Sequence, residues 1–62
     1  MKHWLCEEMV TGEEFLVCAE TWGQACDGAE EIGAEFVVDP DIFVDPEPLT
    51  EDEAEATGLD EY

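Results

Sequence analysis

Nineteen Asp and Glu residues face a single lysine, Lys2, and no arginine, leaving a formal net charge of -18 on 62 residues. No other feature constrains the fold as strongly. Like charges oppose compaction through self-repulsion, and the sequence offers almost no basic group to offset them. The charge is therefore either the functional surface or an adaptation to a solvent that tolerates it. Direct binding to nucleic acid is excluded, because it depends on Lys and Arg neutralising phosphates. Binding to what nucleic acid binds is not. A compact chain of this length has a radius of gyration of about 11 Å and a diameter of roughly 28 Å. That length of duplex carries about 16 phosphates, close to the net charge.

Apolar residues make up 45% of the chain, with two Trp, three Phe and one Tyr. That is enough to seed one small core rather than a disordered acidic tail. No apolar run approaches a membrane span, and the N-terminus lacks the apolar stretch of a secretion signal. The odd cysteine count, Cys6, Cys18 and Cys26, argues against a disulfide framework and for a reducing, cytoplasmic compartment. No CxxC pair is present. Zinc held by those cysteines and His3 is conceivable, but small buried thiols are the simpler reading, so no metal or other cofactor is expected.

The pattern predicts an α+β fold, β-β-α-β. One small domain spans residues 1–48, and residues 49–62 form an acidic tail or short helix. Lys2–Val10 and Glu13–Glu20 alternate as strands around Thr11-Gly12. A two-residue loop pairs Val10 with Glu13, Cys6 with Val17 and Leu5 with Cys18. One face then carries Trp4, Cys6, Phe15, Val17 and Ala19, the natural core side. The other mixes His3, Leu5, Glu7, Met9, Glu14, Leu16, Cys18 and Glu20. Cys6 and Cys18 point to opposite faces and cannot cross-link within the hairpin.

Thr21 and Gln24 form a capping box for a helix whose stripe is Trp22, Ala25, Cys26, Ala29 and Ile32, with Gly33 as its stop. Ala34–Asp39 reads as a third strand. Ile42, Phe43 and Val44, bracketed by prolines, suit an edge strand or an extended arm. Thr50 and Glu53 form a second capping box, and Gly58 ends that helix.

Catalysis is not expected. The chain has no serine, one histidine and no arginine, and no carboxylate pair stands out as an acid/base couple. Acidic runs such as Glu30-Glu31 ordinarily mark solvated faces. The case for a functional polyanion is collective and rests on the missing basic partners. Leu5, Met9, Leu16 and Cys18 on the mixed face, with Ile42, Phe43 and Val44, exceed what one helix can cover, leaving apolar surface for a tail, a dimer or a partner.

The stretch Thr11-Gly12-Glu13-Glu14-Phe15-Leu16-Val17-Cys18-Ala19-Glu20-Thr21-Trp22 resembles part of the phage uracil-DNA glycosylase inhibitor family. That family has a Thr-Gly, a Leu-Val strand core and then Glu-Ser-Ile. Here Thr11-Gly12, Leu16-Val17 and Glu20-Thr21-Trp22 stand in comparable places, with Thr for Ser and Trp for Ile. Glu30-Glu31-Ile32-Gly33 is similar to the Glu-Glu-Val-Ile-Gly that closes the family's following helix. The resemblance implies that Glu20 and Thr21 insert where DNA would lie, and that Ile32 belongs to a pocket trapping an enzyme side chain. It also implies a non-enzymatic DNA mimic whose partner is a DNA-binding enzyme.

The expected target-facing acids are Glu7, Glu14, Glu20, Glu30, Glu31 and Glu35. The expected polar and apolar contacts are Thr21, Leu5, Met9, Leu16, Trp22 and Ile32. An anti-CRISPR or anti-restriction mimic, a halophilic adaptor and an acidic module for a basic partner are the rival expectations.

Overall fold

The computed structural model describes residues 1–62. The chain runs β1 (Lys2–Glu8), β2 (Glu14–Ala19), α1 (Trp22–Gly33), β3 (Ile42–Val44) and α2 (Glu51–Thr57). It is an α+β fold. The three strands form one antiparallel sheet in the order β2-β1-β3. The radius of gyration is 10.6 Å and the long axis 32 Å.

The hairpin shows how register and face separate. Its strands pair Trp4 with Val17 and Cys6 with Phe15, two residues away from the pairing expected of a two-residue loop. The loop is longer because the chain closes at Glu8 and Glu13, where the Glu8 N–H donates to the Glu13 carbonyl at 2.7 Å. Gly12 supplies the one left-handed turn residue, with φ 78°. Side chains alternate with period two, so an even slip leaves every residue on its face. Trp4, Cys6, Phe15, Val17 and Ala19 accordingly all lie in the core, together with Ala25, Ala29 and Val44. The small α1 residues let that helix sit close to the sheet.

What drives the longer loop is Glu8, which is fully buried. One of its carboxylate oxygens accepts from the N–H groups of Val10 and Thr11, and the other accepts from Asp41 N–H at 2.8 Å. A buried charge is tolerated only when hydrogen-bonded. Here one side chain ties the hairpin loop to the start of β3.

Thr21 caps α1, its hydroxyl accepting from Gln24 N–H at 3.2 Å. The return bond of the box is offset: the Gln24 side-chain oxygen accepts from Glu20 N–H at 3.3 Å rather than from Thr21. Gly33 is not a left-handed stop. It is the last helical residue, followed by a right-handed Ala34, and its lack of a side chain serves packing. A Cβ there would come 2.5 Å from Ile42 Cδ1.

The expected strand Ala34–Asp39 does not form. Phe36 and Val37 N–H groups both return to the Gly33 carbonyl, at 2.9 and 3.1 Å, so the helix unwinds through turns. Phe36 then leans on Phe15, with ring centroids 6.2 Å apart. The free edge of β1 is taken by Ile42–Val44 instead, with Cys6 opposite Val44 and Glu8 opposite Ile42. Its flanking prolines lie outside this three-residue pairing, where no ladder N–H is needed.

Residues 49–62 pack onto the sheet. Thr50 and Glu53 make a reciprocal capping box, Gly58 ends α2 at φ 68°, and Ala54 is buried. Three acids in the first turn, Glu51, Asp52 and Glu53, suit the helix dipole. So short a helix is marginal alone, and a second contact holds it. The C-terminus runs parallel to β2: Leu16 N–H donates to Asp60 at 2.9 Å, and Tyr62 and Leu16 close the reverse bond at 2.8 Å. The molecule is thus layered, with α1 on the core face of the sheet and α2 on the mixed face. No helix is long and apolar enough to cross a membrane.

Candidate functional site

Charge stays outside this frame. Apart from buried Glu8 and half-buried Glu7 and Asp45, every acid is exposed, and the one contact between a basic and an acidic side chain joins His3 to Glu61. The exposed acids lie on both outer layers. Asp27, Glu30 and Glu31 cover the outside of α1, while Glu51, Asp52, Glu53 and Glu55 cover α2. Along the 32 Å long axis a duplex would carry about 19 phosphates.

Acid and apolar surface meet in one place. A groove of about 470 Å³ opens between α2 and the hairpin, with Leu16, Ala54 and Leu59 as its apolar floor and Glu51, Glu55 and Glu61 among its acidic walls. Leu16 reaches it because it lies on the mixed face. There it is covered by the tail and left only 2% exposed.

The residues singled out from sequence scatter around this groove. Leu16 lines it. Leu5 is half-buried on the same face, while Glu7 and Glu14 stand opposite each other farther along the strands. Glu20 borders a separate shallow hollow with Met1 and Lys2. Glu30 and Glu31 lie on the other side of the sheet, and Glu35 is exposed in the turn beyond α1. Met9 is exposed in the hairpin loop.

Thr21 is occupied as a helix cap, which removes it from the strand edge that the resemblance implies. Ile32 packs against the core and lines no groove. Trp22 is 48% exposed, yet its ring N–H donates to the Val44 carbonyl at 3.0 Å, fastening α1 to β3. The groove's acids, Glu51, Glu55 and Glu61, escaped the sequence reading. The Thr50–Glu53 capping box reveals the helix, but nothing local states which face it covers.

At one end of the groove, His3 and Cys18 stand directly opposite each other on β1 and β2, with Cys18 Sγ 3.9 Å from His3 Nδ1. The bridge between Leu16 and Glu61 delivers the Glu61 carboxylate to the same spot, where it is hydrogen-bonded to His3. That bond, helped by one from Cys18, holds the Glu61 carboxyl below its ordinary range. Burial, then the bond to Glu61, raises the Cys18 thiol. Cys6 lies apart in the core, where burial and the nearby Cys26 push its thiol up to about 12. All three cysteines are free thiols, and Cys6 and Cys26 do not join His3 and Cys18 in the four-ligand set considered from sequence.

Comparison with protein-family models, curated proteins and solved structures finds no match to this chain.

Proposed function

We propose that this protein is a non-enzymatic inhibitor that occupies the DNA-binding cleft of a nucleic-acid enzyme, with uracil-DNA glycosylase as the first target to test. The observation that carries the proposal is the exposed, uncompensated charge: sixteen exposed acids against a single lysine. Such a surface attracts a basic cleft over long range and speeds encounter. The acid-walled groove supports it further. A base-flipping enzyme engages its substrate with side chains that enter or surround the stack, and an apolar floor ringed by carboxylates accepts a side chain of that kind. The free thiols fit action in a reducing cytoplasm.

The test is titration of uracil excision, with DNA competition measured in parallel. Complete inhibition is expected near one-to-one stoichiometry, with DNA displaced and an association rate that falls steeply as salt rises. Binding that leaves the enzyme's DNA affinity untouched sinks the mimic. The same assay against a restriction or RNA-guided nuclease distinguishes the anti-restriction and anti-CRISPR versions.

The acids on both outer layers favour a second reading, a halophilic adaptor domain. That reading requires molar salt for folding, so a cooperative melt in dilute buffer rejects it.

A further inference from the structure

We propose that His3 Nδ1, Cys18 Sγ and a Glu61 carboxylate oxygen form a binding site for a borderline divalent transition metal, Zn²⁺ being the natural occupant. The inference is independent of the inhibitor reading. Its basis is convergence. Imidazole, thiol and carboxylate donors from distant parts of the chain lie within 4.8 Å of one another, although 58 positions separate His3 from Glu61. The backbone sets this arrangement: His3 and Cys18 are register partners, and Glu61 is bridged to Leu16, on the same face as Cys18.

The dimensions fit. With Zn–S near 2.3 Å and Zn–N near 2.0–2.1 Å, tetrahedral geometry places S and N about 3.6 Å apart. The structure has Cys18 Sγ and His3 Nδ1 at 3.9 Å. A bound ion would take the place of the direct His3–Glu61 hydrogen bond, with the Glu61 oxygen about 3.4 Å from the imidazole nitrogen. The room exists, because both residues line the open groove. The groove beside the site is open, so water can supply the fourth ligand.

The donor chemistry selects the metal. Imidazole and thiolate favour zinc over the hard cations that a bare acidic surface collects. A thiol binds zinc as the thiolate, so binding releases a proton and affinity must rise with pH.

The test uses the full chain, stripped by chelator under reducing conditions, then titrated with Zn²⁺ or Co²⁺ in excess Mg²⁺. Expected are binding of Zn²⁺ at least about 100-fold tighter than Mg²⁺ and a thiolate-to-cobalt absorption band. Cys18→Ser, His3→Gln and Glu61→Gln should each weaken binding by at least about 10-fold, while Glu30→Gln on the opposite layer changes nothing. In the unaltered protein, Zn²⁺ should protect Cys18 from alkylation and leave Cys26 reactive. Binding that Mg²⁺ displaces on equal terms, or equal treatment of Cys18 and Cys26, overturns the proposal and leaves only diffuse attraction to the acids.

Discussion

Glu8→Gln offers the sharpest test of how a chain this acidic stays folded. The substitution keeps shape and volume and removes one negative charge, so a view based on repulsion alone predicts stabilisation. The geometry predicts the reverse. Glu8 is fully buried, and its two oxygens accept from Val10, Thr11 and Asp41 N–H groups. A glutamine retains one oxygen, enough for Val10 and Thr11. Its amide then presents hydrogens to the Asp41 N–H, donor against donor. Losing a charge-assisted bond and leaving that N–H unpaired costs about 2–3 kcal/mol. For a domain of this size that lowers Tm by about 10–20 °C.

Urea unfolding followed by the fluorescence of buried Trp4 measures it, in added salt so that the variant retains a folded baseline. Glu30→Gln, on the exposed side of α1, is the control and should stay within about 0.5 kcal/mol of the parent. A Glu8→Gln protein as stable as the parent refutes the structural role of this carboxylate.

Glycines of α1 should respond with opposite signs. Gly23→Ala meets no neighbour within 4 Å and should stabilise by about 0.5–1 kcal/mol in thermal melts, whereas Gly33→Ala drives a methyl into Ile42 and should destabilise by about 1–3 kcal/mol. Alkaline pH should destabilise the fold. The Cys6 thiol is held up to about 12 when folded, so the unfolded chain loses its proton first. The stabilisation is complete below the ordinary thiol range near 9 and disappears as pH rises toward 12; a Cys6→Ala variant should flatten that alkaline limb of the pH–stability curve. At the groove, Leu59→Asp should weaken target inhibition by about 2–4 kcal/mol and Glu31→Gln by about 0–1. Equal, small losses at both positions argue for charge without an anchor, with folding checked by circular dichroism.

Much of the core was legible because strand alternation and helical spacing are local signals. Trp4, Cys6, Phe15, Val17, Ala19, Ala25 and Ala29 could be assigned inward without knowing the register, and so could the Thr50–Glu53 box with its Gly58 stop. What escaped depends on contacts between distant residues. Glu8 looks like one more surface acid until Asp41 arrives to bond it. Ala34–Asp39 reads as a strand and Ile42–Val44 as an edge strand or an extended arm, and only the free edge of β1 and the fit of Ile42 over Gly33 decide between them. The pairing of His3 with Cys18 was hidden by the loop length: the two-residue slip that leaves the core faces intact changes every cross-strand partner. Glu51, Glu55 and Glu61 enter the groove through the docking of the tail, which the capping signals do not orient.

Charge and site are linked by the way the fold disposes of its acids. A sheet covered on both faces by acid-coated helices presents negative potential in nearly every direction, so electrostatics can bring a basic partner to the surface quickly but cannot fix its orientation. Orientation needs a feature that occurs once. The groove under α2 is the place where apolar floor and carboxylate wall coincide, and it exists only while the C-terminus stays paired to β2 through Leu16 and Tyr62. Its mouth is also where residues near both chain ends meet, at His3 and Glu61. Anything that loosens that junction therefore opens the groove and releases α2 together, while the α1 face and its acids remain in place. A partner recognised by charge alone would be indifferent to the junction; a partner seated in the groove depends on it.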